Sequence, residues 1–238
     1  LVTTEKTHDT TKIKAFNDLG ILYASSNPKQ AKIYIHKALD IAIKIERPRG
    51  IAGSYNCLGI VYYYQKEHDS ALVNFKKALV VNEEMGHLWG QASALNQIGV
   101  VQNIKNDYDG AIQSFGKAGE IFKTSNDSIS YAKSIQNIGY SYALMLHYIK
   151  AIEYYLDAIE IYGLLDNTKG IARGYINIGN LLIKQKEYKS ALQYFNMALP
   201  NIRESGDKQL LALILKDMGV SYLGLKNYDT AMFYFKES

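Results

Sequence analysis

The 238-residue sequence has very little cysteine, because Cys57 is the only one. A single cysteine excludes an intramolecular disulfide and any metal site built from several cysteines. It is compatible with the cytosol as well as the periplasm. Long apolar runs are also absent: the longest clean one covers residues 210–215, far short of the roughly 18 residues needed to span a bilayer. We therefore expect no membrane contact by this segment.

Clustered charge and catalytic motifs are scarce as well. The formal net charge is +4, with acidic and basic residues interleaved, whereas a nucleic-acid-binding surface needs a clustered basic face. The five histidines fall at unrelated positions, and no second type of metal ligand follows them at a fixed spacing. The glycines occur singly and form no phosphate-binding loop. We expect no enzyme activity, no metal, no cofactor and no nucleic-acid contact.

What the sequence does contain is a repeat of 40 residues, seen most clearly in residues 55–78. A glycine marks each copy, a small alanine follows 11 or 12 residues later, and an aromatic residue usually comes four positions after that alanine. Self-similarity at this period is typical of a solenoid of stacked supersecondary units. The marker glycines are Gly20, Gly59, Gly99, Gly139, Gly179 and Gly219, and the alanines are Ala31, Ala71, Ala111, Ala151, Ala191 and Ala231.

Each copy is predicted to form two antiparallel helices. In the second copy, apolar residues around Gly59 recur at steps of three and four, and the stripe resumes after a polar break at residues 66–69. Asp69 is expected to cap the second helix, and Asn27 with Pro28 is expected to cap and begin the corresponding helix of the first copy. The small residues allow the paired helices to approach closely, and the aromatic residue fills the gap beside them.

These registers resemble the signature of the tetratricopeptide repeat (TPR). In the second copy the resemblance is carried by Leu58, Gly59, Tyr62, Ala71, Phe75 and Ala78. It implies an all-α, right-handed superhelix of six helix-turn-helix units. The period exceeds the usual 34 residues, so both helices should be about a turn longer. We predict one array over residues 1–238, with repeats at about 12–48, 49–88, 89–128, 129–168, 169–208 and 209–238, the last one truncated.

The resemblance also suggests a function. The 40-residue variant is similar to TPR arrays of kinesin light chains, of peptide-sensing bacterial regulators and of sensory regions in bacterial signalling proteins. It implies a scaffold that binds a peptide or protein segment in a concave groove, as the sensory or docking region of a larger bacterial signalling protein. An alternative is an assembly scaffold, a homo-oligomer that self-associates through its edges or its truncated C-terminal repeat.

In the TPR family the first helix of each pair lines the groove. Counted from each marker glycine, the positions expected to face it lie six, three and two residues before and one, four and five residues after. Side-chain amides at these positions can donate and accept hydrogen bonds along an extended peptide backbone, while the cations can meet a carboxylate. The candidate peptide-binding residues are Asn56, Asn96, Asn137, Asn177, Lys133, Arg173, Tyr63 and Tyr140.

Each candidate has a structural alternative. The amides could bond the neighbouring helix, the cations could be solvated surface charges, and the tyrosines could belong to the core. One specific type of groove is disfavoured, namely the two-carboxylate clamp of chaperone-binding TPR domains. Asn96 and Val100 stand where that clamp needs lysine and asparagine.

Overall fold

The computed structural model describes residues 2–238, and the side chains of residues 9–238. This part of the chain consists of helices joined by short turns, without strands, and it divides into two compact units, one ending at Asp127 and the other comprising Ser128–Ser238. The helices of the first unit are α1 (Val2–Tyr23), α2 (Pro28–Lys44), α3 (Pro48–Tyr64), α4 (His68–Glu84), α5 (Leu88–Ile104) and α6 (Tyr108–Thr124). Those of the second are α7 (Ser128–Leu144), α8 (Tyr148–Leu164), α9 (Thr168–Lys184), α10 (Tyr188–Ser205), α11 (Lys208–Gly224) and α12 (Tyr228–Glu237).

Within each unit, consecutive helices pack against each other in pairs. The pairs α1–α2, α3–α4 and α5–α6 form three hairpins in the first unit, and α7–α8, α9–α10 and α11–α12 form three in the second. Each second helix also packs against the first helix of the next hairpin in its own unit. This is the all-α arrangement of six helix-turn-helix units that the repeat predicts. A core around Tyr155, Phe195 and Ile214 runs through the second unit.

The predicted close approach at the marker glycines is present in both units. A Cβ atom built on Gly59 would lie 2.5 Å from Cε1 of Phe75, and one on Gly99 would lie 2.7 Å from Cε1 of Phe115. Real Cβ atoms do not come this close to carbon. The aromatic ring of the second helix therefore uses the space that the missing side chain of the first helix leaves.

The turns between helices share one backbone conformation. In every turn from the one after α2 onward, the residue one or two positions after the end of the helix adopts a left-handed conformation with φ between 50° and 64°. This residue recurs every 20 residues, so the turns within hairpins and between them are alike. Only two of these positions hold glycine, the residue that adopts positive φ without steric cost. The ten left-handed turn residues are Glu46, Lys66, Gly86, Asn106, Asn126, Leu146, Asp166, Lys186, Gly206 and Lys226.

The helix starts divide into capped and uncapped ones. Asn27 accepts a hydrogen bond from the backbone N–H of Gln30, and Pro28 is the first residue of α2, as the sequence predicts. The expectation for Asp69 was wrong. Glu67 occupies the capping position of α4 without a side-chain bond, and Asp69 lies inside the first turn, where it pairs with Lys105. The turn after α3 ends two residues earlier than the polar pattern suggested.

Tyrosines fill the outer edge of several hairpins. Tyr142 of α7 stacks on Tyr154 of α8 with ring centroids 5.4 Å apart, and Tyr222 stacks on Tyr234 with centroids 5.3 Å apart. In the third repeat the equivalent pair is replaced by a hydrogen bond, donated by Ser114 Oγ to Gln102 Oε1 at 2.6 Å. The same two positions of the repeat thus hold either a pair of stacked rings or a hydrogen-bonded polar pair.

Candidate functional site

The second unit contains a pocket of about 390 Å³, formed mainly by α7, α9 and α11, the first helices of its three hairpins. We call it the unit 2 pocket. With one exception, Leu181, every residue that α7, α9 and α11 contribute holds one of the six register positions expected to face a groove. Its lining residues are Tyr140, Ala143, Leu144, Tyr155, Asn177, Asn180, Leu181, Ile183, Lys184, Leu213, Lys216, Asp217 and Val220.

Two of the candidate residues come together in this pocket. Tyr140 of α7 is 52% exposed, and Asn177 of α9 is half-buried. They contribute an aromatic surface and an amide to the same depression, beside a second amide from Asn180. This combination offers apolar contact together with groups that both donate and accept hydrogen bonds.

The other three candidates of the second unit lie outside the pocket lining. Asn137 is half-buried on α7, and Lys133 is exposed on the same helix. Arg173 is exposed on α9, where its positive charge is one of the influences that lower the pKa of the Asp207 carboxyl, behind the hydrogen bonds from Lys169 and from the backbone of Leu210. The direct partner of Asp207 is Lys169, whose ammonium lies 2.6 Å from Oδ2, and Arg173 adds only a weaker electrostatic influence.

The sequence analysis placed Asp217 in the groove register without selecting it, and it is the most unusual residue of the pocket. Its side chain is buried although it is a carboxylate, and Oδ2 accepts no hydrogen bond. Oδ1 lies 3.5 Å from the Lys216 ammonium. Burial raises the pKa of Asp217, while the Lys216 charge and the neighbouring Asn180 amide partly oppose the rise. A buried, incompletely paired carboxylate in a pocket is a candidate functional group.

The first unit has a smaller pocket of about 190 Å³ between α3, α4 and α5, which we call the unit 1 pocket. Asn56 lines it, and the Oδ1 atom of Asn56 is buried without a hydrogen-bond partner. On the opposite side, Asn82 donates from Nδ2 to the carbonyl of Ala78 at 2.7 Å, and its Oδ1 lies 3.1 Å from His87 Nδ1. Trp89, the only tryptophan of the sequence, lies half exposed at the rim.

The two remaining candidates of the first unit are placed differently. Tyr63 packs edge-on against Tyr64, with centroids 5.9 Å apart, and against the core around Phe75. Asn96 is half-buried on α5. Neither lines the unit 1 pocket. Three of the eight candidates thus line a pocket of their own unit, Asn56 in the first and Tyr140 and Asn177 in the second, and the other five lie elsewhere on the helices of their units.

Cys57 occupies a groove position of α3 but lacks the character of a reactive thiol. Burial raises its pKa to about 12, and the negative charge of Asp18 adds to the rise. The thiolate is the nucleophilic form, so this cysteine acts as a small apolar residue. Within the described side chains, no three of the His, Cys, Asp and Glu groups cluster in a way that could hold a metal ion. In the described part of the chain, no helix is long and apolar enough to cross a bilayer.

The sequence model of the tetratricopeptide repeat matches residues 50–124 and 170–238, more than half of the chain. No curated protein sequence matches the chain. Among solved structures, the apo form of RapI superimposes with a TM-score of 0.70 at 18% identity, covering 94% of this chain and 95% of RapI. A Rap protein complexed with competence and sporulation factor gives 0.69 at 16% identity, covering 95% and 73%.

A third similar structure is a signal transduction ATPase with numerous domains (STAND) from Pyrococcus horikoshii, which has a tetratricopeptide repeat sensor. It superimposes with a TM-score of 0.76 at 18% identity, covering 96% of this chain. This chain spans only 37% of that protein's length. At these identities the three structures establish the fold.

Proposed function

Because the chain belongs to the tetratricopeptide repeat family, we propose that it is a docking scaffold that binds a peptide or protein segment across its first helices. The observation that carries this proposal is the unit 2 pocket. Tyr140 and Asn177, selected from the repeat register for their chemistry, line it together although they belong to different repeats. A segment lying across α7, α9 and α11 would contact both.

The chemistry of the pocket suits an extended segment of polypeptide. Asn177 and Asn180 each offer a carbonyl oxygen and an amino group, the two groups that an extended backbone needs for its own N–H and C=O. Tyr140, Leu213 and Val220 offer apolar surface for a side chain. A pocket that is largely apolar, with a few placed polar groups, is typical of binding sites.

We further infer that this chain is the sensory or docking region of a larger bacterial signalling protein. Two similar structures support this inference: the Rap protein complexed with competence and sporulation factor, and the STAND protein in which a tetratricopeptide repeat forms the sensor. The TPR fold typically serves as a scaffold for interaction and not for catalysis. We therefore expect the ligand to be bound and released unchanged.

The test is a peptide-library binding screen on the intact chain, repeated with Asn177→Ala and with Tyr140→Ala. Asn201→Ala is the matched control, because its amide donates within its own helix, to the carbonyl of Met197. Docking in the unit 2 pocket requires that both pocket variants lose binding about tenfold or more while the control keeps it, with helicity and melting unchanged. Absence of binding to any peptide would reject the proposal.

An alternative function, assembly through a second copy of the chain, is supported by α12. Met232 and Phe235 hold the register positions that Leu192 and Phe195 hold in the preceding repeat. Leu192 and Phe195 are 8% and 0% exposed, whereas Met232 and Phe235 are 57% and 38% exposed. This apolar face suits self-association, since contiguous exposed apolar surface marks interaction sites.

Self-association would appear as a molar mass that rises with protein concentration in sedimentation equilibrium. The double variant Met232→Glu with Phe233→Glu should return the mass to that of one chain, because it places charge on the exposed face. Leu164→Glu, an exposed leucine of α8, is the control and should leave the mass unchanged. A concentration-independent monomer would remove this alternative.

A further inference from the structure

The unit 2 pocket contains a carboxylate that the protein itself leaves incompletely paired. Asp217 is 8% exposed, and its Oδ2 atom is buried without a hydrogen-bond partner. Buried polar atoms in folded proteins are almost always paired, and an exception needs an explanation. Asp217 lies in the wall of the unit 2 pocket. A ligand in that pocket that donates a hydrogen bond to the carboxylate would explain the exception.

The same register position in the other repeats differs in both burial and chemistry. It holds amides in three repeats, a thiol in one and an exposed carboxylate in the first, and none of these five side chains is buried. They are Asp18, Cys57, Gln97, Asn137 and Asn177. The buried carboxylate is therefore a property of the last repeat and not of the repeat fold.

The internal partners of Asp217 leave room for an additional donor. Lys216 reaches Oδ1 at 3.5 Å, a long contact, and its side chain is about half exposed to solvent. The side-chain amide of Asn180, on the neighbouring helix, donates a hydrogen bond to the carboxylate and favours its charged form. A carboxylate has about four acceptor positions on its two oxygens, and these two partners leave Oδ2 without a hydrogen bond.

We propose that Asp217 anchors a protonated amine or guanidinium of the bound segment, and that this cation is the main determinant of which segments bind. The proposal rests on the docking function proposed above. A charged donor matches the site better than a neutral one, because the partner of a buried carboxylate must offset the loss of hydration of that charge. Tyr140, Leu213 and Val220 then contact the apolar stem of the cationic residue.

Two lysines close to Asp217 influence how strongly a cationic ligand binds. Lys184 of α9 also lines the pocket and is exposed, so water and salt screen its charge. Lys216 competes with the ligand cation for the same carboxylate. Removing Lys216 should therefore strengthen the binding of a cationic segment, and removing the charge of Asp217 should weaken it. A purely structural role for Asp217 would not give effects of opposite sign.

The experiment uses two synthetic peptide libraries on the intact chain. They are identical, except that one contains lysine and arginine where the other contains norleucine and citrulline. Wild type should bind peptides of the first library at least tenfold more tightly than their partners in the second. Asp217→Asn should remove that preference, and Lys216→Ala should increase it several-fold. N-terminal acetylation of the best peptides distinguishes a terminal amine from a side-chain cation.

The outcomes separate this inference from the docking proposal. If both libraries bind wild type equally and Asp217→Asn changes nothing, the cation anchor is wrong and docking stands. Binding by neither library rejects both proposals. If Asp217→Asn fails to fold, Lys216→Ala still decides the matter, because an unchanged or weaker preference for cationic peptides in that variant contradicts the anchor.

Discussion

The ring of Phe195 on α10 lies against Gly179 on α9, so closely that a Cβ atom added to Gly179 would come within 2.4 Å of the ring carbon Cε1. Phe195 is fully buried, and Gly179 is buried beneath it. The glycine therefore determines how near the two helices of the fifth repeat can approach.

Gly179→Ala should destabilise the chain although alanine favours helix. Forcing an extra methyl group into a packed core typically costs 1–3 kcal/mol, and the better helix propensity returns about 1 kcal/mol. We expect a net loss of up to about 2 kcal/mol in urea unfolding. Gly116→Ala is the control, because a Cβ atom there meets nothing within 4 Å, and it should gain about 0.5–1 kcal/mol. Equal effects of the two substitutions would contradict the close-packing explanation.

Leu146→Gly should stabilise the chain. Leu146 adopts a φ of 62° in the turn between α7 and α8 and is 67% exposed, so its side chain contributes little packing. A left-handed conformation costs a residue with a Cβ atom roughly 1–2 kcal/mol, against which glycine loses more chain entropy on folding.

The net gain for Leu146→Gly should be about 0.5–1 kcal/mol, measured as a rise in the urea midpoint. The matched control is Leu164→Gly, an exposed leucine in the last turn of α8. That substitution brings glycine into a helix and should cost up to about 1 kcal/mol. A loss of stability in both variants would show that the turn is not strained.

Asp217→Asn should raise the melting temperature at neutral pH. The folded-state pKa of Asp217 is raised above its ordinary value of 3.8 by burial, so folding disfavours its charged form. Its contribution to stability is therefore most favourable below that value and is lost as the pH rises through the folded pKa. The variant should therefore be more stable than wild type at pH 7.

The stability difference between Asp217→Asn and wild type should shrink as the pH is lowered toward 3.8. The other charged and titratable groups of the pocket are Lys216, Lys184, Tyr140 and Tyr155. All four are present in both proteins. Lys216 acts directly on the charge that the variant removes, and its influence partly opposes the rise of the Asp217 pKa. Thermal unfolding followed by circular dichroism between pH 4 and 8 measures the difference. A gap that stays constant over this range would mean that burial does not disfavour the charge.

Cys57 should react very slowly with thiol reagents in the folded protein. A rise of its pKa from 9.0 to about 12 makes the thiolate population about a thousandfold smaller at pH 8. Labelling by an aromatic disulfide reagent, followed in native buffer and in 6 M urea, should show this contrast. Asp18→Asn removes the smaller, electrostatic part of the rise and should speed native labelling modestly. Rapid labelling of the native wild type would refute the assignment of Cys57 as a partly shielded thiol with a raised pKa.

The sequence predicted the fold in some detail because the features that form it are local or periodic. The glycine–alanine–aromatic register predicted paired helices with close contact, and the contact of Gly59 with Phe75 agrees with it. The left-handed turns were less visible. Gly86 and Gly206, and more weakly the Asn or Asp residues at 106, 126 and 166, indicate them by residue type. Leu146 adopts the same φ because the equal spacing of packed helices requires the same turn.

The site was predictable as a face and not as a set of partners. The register identified which positions of α7, α9 and α11 share a surface, and the residues lining the unit 2 pocket nearly all belong to it. The register made Asn137 and Asn177 equally good candidates for binding a peptide. Only Asn177 lines the pocket, because the depth of a pocket depends on the side chains of two neighbouring helices at once.

The sequence by itself determined the repeat period, the helix pairs, the glycine contacts and the family, because these follow from a pattern that occurs six times in the chain. Only the tertiary structure decided that Tyr140 and Asn177 share a pocket, that Lys169 pairs with Asp207, and that Asp217 is buried with an unpaired oxygen. Burial and pairing depend on which side chains of other helices surround a group, and a repeat register contains no information about those neighbours.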